Sequence, residues 1–168
     1  MISCDTSFLH SLYLVDIHTP KARARLQGIR RPQGLVLSPF HQYELSNAVR
    51  LTVFRGLRDA ASGEAILAAL EADIASGYFD LPTCNLGRVL IEAKRLSASY
   101  TVTGGHRAFD ILHVAAALHL GANEFLTFDA NQRARGWFET GALTQPDFHV
   151  AVRPGRLKQK SPNSFAMS

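Results

Sequence analysis

Short apolar runs alternate along this chain with longer segments whose apolar residues recur at helical spacing. The runs cover residues 1–4, Leu35–Ser38, Tyr78–Pro82, Glu124–Phe128 and Phe148–Val152. Each has the length and bounding residues of a buried strand. Between them, Phe40–Arg55, Glu64–Ser76, Leu86–Ser99 and Arg107–Leu120 carry the periodicity of helices. Strands alternating with helices predict crossover connections, and so an α/β fold around a mainly parallel sheet of about five strands. Ser38 followed by Pro39 predicts a sharp start to the Phe40 helix, and Gly121 a glycine stop to the Arg107 helix. Thr101–Gly105 reads as a loop, and it lacks the Gly-Lys-Ser/Thr ending of a phosphate-binding loop.

At 168 residues the chain suits one domain with a sizeable core. We place an α/β domain at residues 1–153. A basic segment at 154–168, with Arg156, Lys158 and Lys160 and no acid, is expected to be a flexible tail. Lys and Arg number 18 against 14 Asp and Glu, a formal net charge of +4 that favours a polyanionic partner. Cys4 and Cys84 form no zinc or redox motif, which fits a reducing cytoplasm. No stretch reads as an export signal or as a membrane span, so a cytoplasmic protein without membrane association is expected.

Four acids change this outline into a chemical hypothesis. Asp5, Glu44, Asp110 and Asp129 each sit where a strand-like run ends or a helix begins. In an open parallel sheet, residues beyond the carboxyl ends of the strands converge on one crevice. Crowded carboxylates repel, and a divalent cation makes such a cluster tolerable at neutral pH. Each acid also has a plainer reading. Asp5 before Thr6 and Ser7 has the form of a helix cap, Glu44 suits the start of a helix, and Asp129 suits a turn. Arg107, Asp110 and His113 recur every third residue on an otherwise apolar helix, a polar stripe that serves either a cavity or an internal hydrogen-bond network.

The strings Cys4-Asp-Thr-Ser-Phe8, Tyr43-Glu-Leu-Ser-Asn-Ala48, Phe109-Asp-Ile-Leu-His-Val-Ala-Ala116 and Thr127-Phe-Asp-Ala-Asn131 resemble the acidic signatures of PIN-domain ribonucleases, especially VapC-type toxins. The resemblance implies a three-layer α/β/α PIN fold with Asp5, Glu44, Asp110 and Asp129 as metal-site acids. It also implies Mg2+ or Mn2+ as cofactor, RNA as substrate, a homodimer, and inhibition by a small VapB-like antitoxin. Thr6, Ser7, Asn47, Arg107, His113 and Asn131 are candidates for orienting the acids, a water or the substrate. The leading expectation is thus a metal-dependent endoribonuclease that is the toxin of a toxin–antitoxin pair. Two alternatives are a non-catalytic PIN-like module that binds RNA or protein, and an aspartyl phosphotransferase or phosphatase with Asp5 as nucleophile. The latter class usually places a second Asp where this chain has Ser7.

Because 155–168 lies beyond the last strand candidate and lacks apolar periodicity, its deletion should leave the thermal midpoint nearly unchanged. A large drop on calorimetry would show that this segment packs.

Overall fold

The computed structural model describes residues 1–29 and 34–129. Its elements in chain order are β1 (Ile2–Cys4), α1 (Thr6–Tyr13), α2 (Thr19–Gln27), α3 (Pro39–Phe54), α4 (Ala60–Ala75), α5 (Leu86–Gly104), α6 (Ala108–His119) and β2 (Glu124–Leu126). β1 and β2 pair in parallel, with Ile2 opposite Glu124, Ser3 opposite Phe125 and Cys4 opposite Leu126. Parallel pairing continues from β1 through the bridges Ile2–Leu35 and Val36–Asp80. Two of the expected strands, Leu35–Ser38 and Tyr78–Pro82, are therefore reduced to bridges among the described residues. Phe148–Val152 and the segment 154–168 lie outside the described residues. The architecture is α/β with a parallel sheet, as the alternating pattern predicts, and among the described residues two strands rather than five are seen.

The sheet is packed on both faces. Ile2, Cys4, Leu35, Leu37 and Leu126 are buried in one core with Phe8 and Leu9 of α1, Ala22 of α2, Leu45 and Val49 of α3, and Leu70 of α4. Phe125 belongs to a second core with Val89, Ala93 and Leu96 of α5 and Ile111, Val114 and Ala115 of α6. Successive side chains on a strand point to opposite faces, so Phe125 and Leu126 divide the helices between the two sides of the sheet. Parallel strands covered on both faces are near-continuously apolar, which accounts for the runs in the sequence.

Three helical details differ from expectation. α1 and α2 were not foreseen; α1 is only eight residues long and α2 reads as strongly polar, Thr-Pro-Lys-Ala-Arg-Ala-Arg. The stretch expected as a loop at Thr101–Gly105 is instead the last turn of α5, closed by Gly105 at φ 63°. Left-handed geometry of this kind favours glycine. Ser38 and Pro39 do open α3. His41, on its first turn, then accepts the Ser38 N–H at Nδ1 over 2.9 Å.

Gly63 in α4 is buried against α3, where a β-carbon would stand 2.7 Å from Val53 Cγ2. Alanine would gain about 1 kcal/mol of helix propensity but incur roughly 1–3 kcal/mol of overpacking. Gly63→Ala should therefore lower the urea midpoint modestly. A raised midpoint would show that the two helices separate freely.

Candidate active site

Asp5 follows β1 directly, and its N–H still donates to the Leu126 carbonyl of β2 at 3.0 Å. It is also the N-cap of α1, with Oδ1 accepting the Phe8 N–H at 3.1 Å. The capping and site readings of this residue are thus satisfied by one side chain. Ser7 Oγ donates to Oδ1 at 2.6 Å, and Thr127 Oγ1 donates to Oδ2 at 2.6 Å. Each donor is itself fixed: Ser7 Oγ accepts from Phe128 N–H, and Thr127 Oγ1 from Asp129 N–H, both at 2.9 Å. Only 4% of Asp5 is exposed. Burial pushes its pKa above the usual carboxylate value, while the bonds from Ser7, Thr127 and Phe8 and the charge of His113 pull the other way. Both oxygens are occupied by donors, which suits a held anion better than a free nucleophile.

Glu44 comes from the second turn of α3. Its Oε2 accepts from Thr6 Oγ1 at 2.5 Å and from His113 Nε2 at 2.6 Å. Burial acts to protonate Glu44, yet the bonds from His113 and Thr6 together outweigh it and hold the carboxyl below its usual range. His113, buried on α6, packs its ring 4.3 Å from that of His41. Its Nδ1 is buried without a hydrogen-bond partner.

His41 is a site residue that sequence reasoning missed. Since Nδ1 accepts from Ser38, the proton must sit on Nε2, which donates to the Cys4 carbonyl at 2.7 Å. This bond pins the end of β1 one residue before Asp5. Burial, with His113 alongside, pushes the His41 pKa down to about 3. The available signal was its place three residues after an N-cap serine.

A cleft of about 420 Å3 at the carboxyl ends of β1 and β2 brings together Asp5, Thr6, Ser7, Glu44, Arg107, Asp110, His113 and Asp129. Asn47 is exposed and is not among its lining residues. Asn131 lies outside the described residues. The Arg107–Asp110–His113 stripe does not form one network. Asp110 Oδ2 accepts the Arg107 backbone N–H at 3.1 Å, capping its own helix, while His113 turns to Glu44.

The facing wall was also missed. It consists of His10 and Ser11 of α1, Asp16 and His18 of the next turn, and Phe128. His10 and Ser11 follow Ser7 at helical spacing, a signal visible only once α1 is recognised. Asp16 accepts from Ser11 Oγ and from the His18 N–H, both at 2.8 Å. Val15, before it, holds φ at 54°, a strained conformation for a β-branched residue. Arg58 donates to the Leu14 carbonyl and so braces that turn from the α3–α4 connection.

The donor set of carboxylates and hydroxyls has the hard-oxygen chemistry suited to Mg2+ or Mn2+. Among the described residues, no three His, Cys, Asp or Glu side chains stand in a metal-holding group. The reason is local: Glu44 is drawn to Thr6 and His113, and Asp110 to the start of α6. A second cavity of about 450 Å3, between α1, α2 and α4, contains one acid, Asp73, already bonded by Tyr13 Oη at 2.6 Å. Acids converge at the first cleft and not at the second.

An α/β protein with carboxylates gathered beyond the ends of parallel strands is thereby defined. The family model of the PIN domain matches residues 2–137, and the chain belongs to the PIN-domain family. Among solved structures it is similar to the crystal structure of Mycobacterium tuberculosis VapC20, described as a Sarcin-Ricin loop cleaving toxin. That likeness has a TM-score of 0.60 at 20% identity and covers 83% of this chain and 98% of the other. No curated protein matches the chain. Among the described residues, no helix is long and apolar enough to cross a membrane.

His41 stays neutral in the folded protein down to about pH 3, whereas an unfolded histidine protonates near pH 6.5. Between these values the unfolded state binds more protons, so stability should fall with pH, by up to about 1.4 kcal/mol per unit. Glu44, held low, adds to the loss only below its ordinary value of 4.5. Asp5, held high, works in the opposite sense, losing stability as pH rises through its folded pKa. Urea titrations at pH 7.5 and pH 5 should show a loss that shrinks in His41→Gln. An equal loss in the variant would rule out His41 as its source.

Proposed function

We propose that this protein is a divalent-metal-dependent endoribonuclease and the toxin of a VapBC-type pair, acting in the cytoplasm as a homodimer held in check by a small antitoxin. The observation that carries the nuclease reading is the convergence of Asp5, Glu44, Asp110 and Asp129 on one cleft. Family membership supports it, and the likeness to a toxin described as cleaving the Sarcin-Ricin loop supports the toxin role. The acids that would hold Mg2+ or Mn2+ are Asp5, Asp110, Asp129 and Glu44. Such a cation supplies a more acidic bound water and offsets charge on the phosphate.

The chain's own residues have separable tasks in this reading. Ser7 and Thr127 keep Asp5 oriented, and their bonds oppose the burial that raises its pKa. Thr6 and His113 hold Glu44 as an anion, able to orient a water or receive its proton. Arg107, exposed at the rim, is placed to meet a phosphate oxygen. The net charge of +4 favours approach of a polyanion.

A second reading, a PIN module that binds RNA without cutting it, is favoured by one observation: the absence of a three-residue metal group among the described residues. Asp110→Asn separates the two. Asparagine can still accept the Arg107 N–H, so the variant should melt within about 1 kcal/mol of the parent. Its cleavage of RNA with Mg2+ or Mn2+ should fall at least about 100-fold. The parent should be inhibited by EDTA and stabilised by metal, by about 2.7 kcal/mol at 100 times Kd, and the variant should lose that gain. RNA binding without cleavage by the metal-replete parent would establish the second reading.

A further inference from the structure

Three rings form a ladder from the core to the cleft. Phe8, fully buried, stacks on Phe128 with centroids 5.7 Å apart and planes 15° apart. Phe128 stacks in turn on His18, at 4.5 Å and 12°. His18 is the outermost member: it is half-buried, lines the cleft with Phe128, and makes no side-chain capping bond to α2. Its position is set before any ligand arrives. Asp16 Oδ1 accepts its N–H at 2.8 Å, and Thr19 Oγ1 donates to the Ser11 carbonyl at 2.6 Å, tying the turn to α1.

His18 and Phe128 both line the cleft, so a further flat ring entering the cleft can stack on the outermost member of the ladder. The cleft that faces the ladder is rimmed by Arg107 and His10 and contains the acid cluster, so a ring entering there would be attached to a phosphate-bearing chain. We propose that His18 is a stacking platform for one unpaired base of the RNA. A base paired within a duplex already has both faces stacked and cannot join the ladder; recognition by stacking needs a base that can splay out. This deepens the nuclease reading above and rests on it. His18 acts here as a substrate-binding residue that fixes register, and the acids carry the chemistry.

The experiment uses the full chain in EDTA, where cleavage is silent, with a short single-stranded RNA carrying one 2-aminopurine. Stacking of that base on His18 should quench its fluorescence. His18→Ala should abolish the quench and weaken binding about tenfold, whereas His18→Phe should keep the quench and bind within about threefold. In metal the KM of His18→Ala should rise while kcat stays within about twofold. The same RNA with that one residue made abasic should lose the tenfold against the parent protein, a loss that does not depend on how any variant folds, and nothing further against His18→Ala. Equal losses from the abasic change in both proteins would overturn the proposal while leaving cleavage of RNA intact. Failure of His18→Phe alongside His18→Ala would also overturn it, by showing that the imidazole serves a phosphate. Parent protein that neither binds nor cuts RNA would remove the nuclease reading itself.

Discussion

A carboxylate buried at the end of a parallel strand sets the terms for everything around it. Asp5 gains tolerance of burial from three donors, the Phe8 N–H and the hydroxyls of Ser7 and Thr127. Those donors belong to the start of α1 and the end of β2, so the cost of burying one charge is offset by bonds that join two elements remote in sequence. Ser7 and Thr127 extend the joint by accepting the N–H groups of Phe128 and Asp129. The acid, the ring ladder and the last acid of the cleft are consequently parts of one hydrogen-bonded unit.

Beside it, two histidines on packed helices do opposite things. His41 is held neutral by burial and by His113 alongside; its ring nitrogens are taken by backbone groups that define its tautomer, and it serves as a strut under β1. His113, whose ring lies against it, faces a carboxylate and gives up the satisfaction of Nδ1 to reach it. An unsatisfied buried nitrogen is a real cost. The structure accepts it at the position where Glu44 must be held.

The parts legible in sequence were those with a strong local period or an acid at an element boundary. α3, α4, α5 and α6 appear close to the segments read from periodicity, and the four scattered acids line one cleft beyond the strand ends. What was illegible depended on short or polar elements. α1 makes its helix from eight residues by borrowing Asp5 as cap, and α2 shows almost no amphipathic pattern because only Thr19 and Ala22 are buried. With those two helices unread, His10, Asp16 and His18 had no cleft to belong to. The bond from His41 to the Cys4 carbonyl spans 37 positions, and no local pattern announces such a contact. The stripe of Arg107, Asp110 and His113 lines the cleft, but spacing that places residues on one face does not choose their partners.

The turn at Val15 carries a further meaning. A valine at φ 54° is a conformation that glycine would adopt with less strain, and Arg58, from the connection after α3, reaches across to brace it at Leu14. Strain and brace together make the wall of the cleft the property of a residue far from it in the chain. Selection for a more stable protein and selection for a well-shaped wall would therefore pull this one position in different directions. This exposed turn beside the cleft is where that compromise would be recorded.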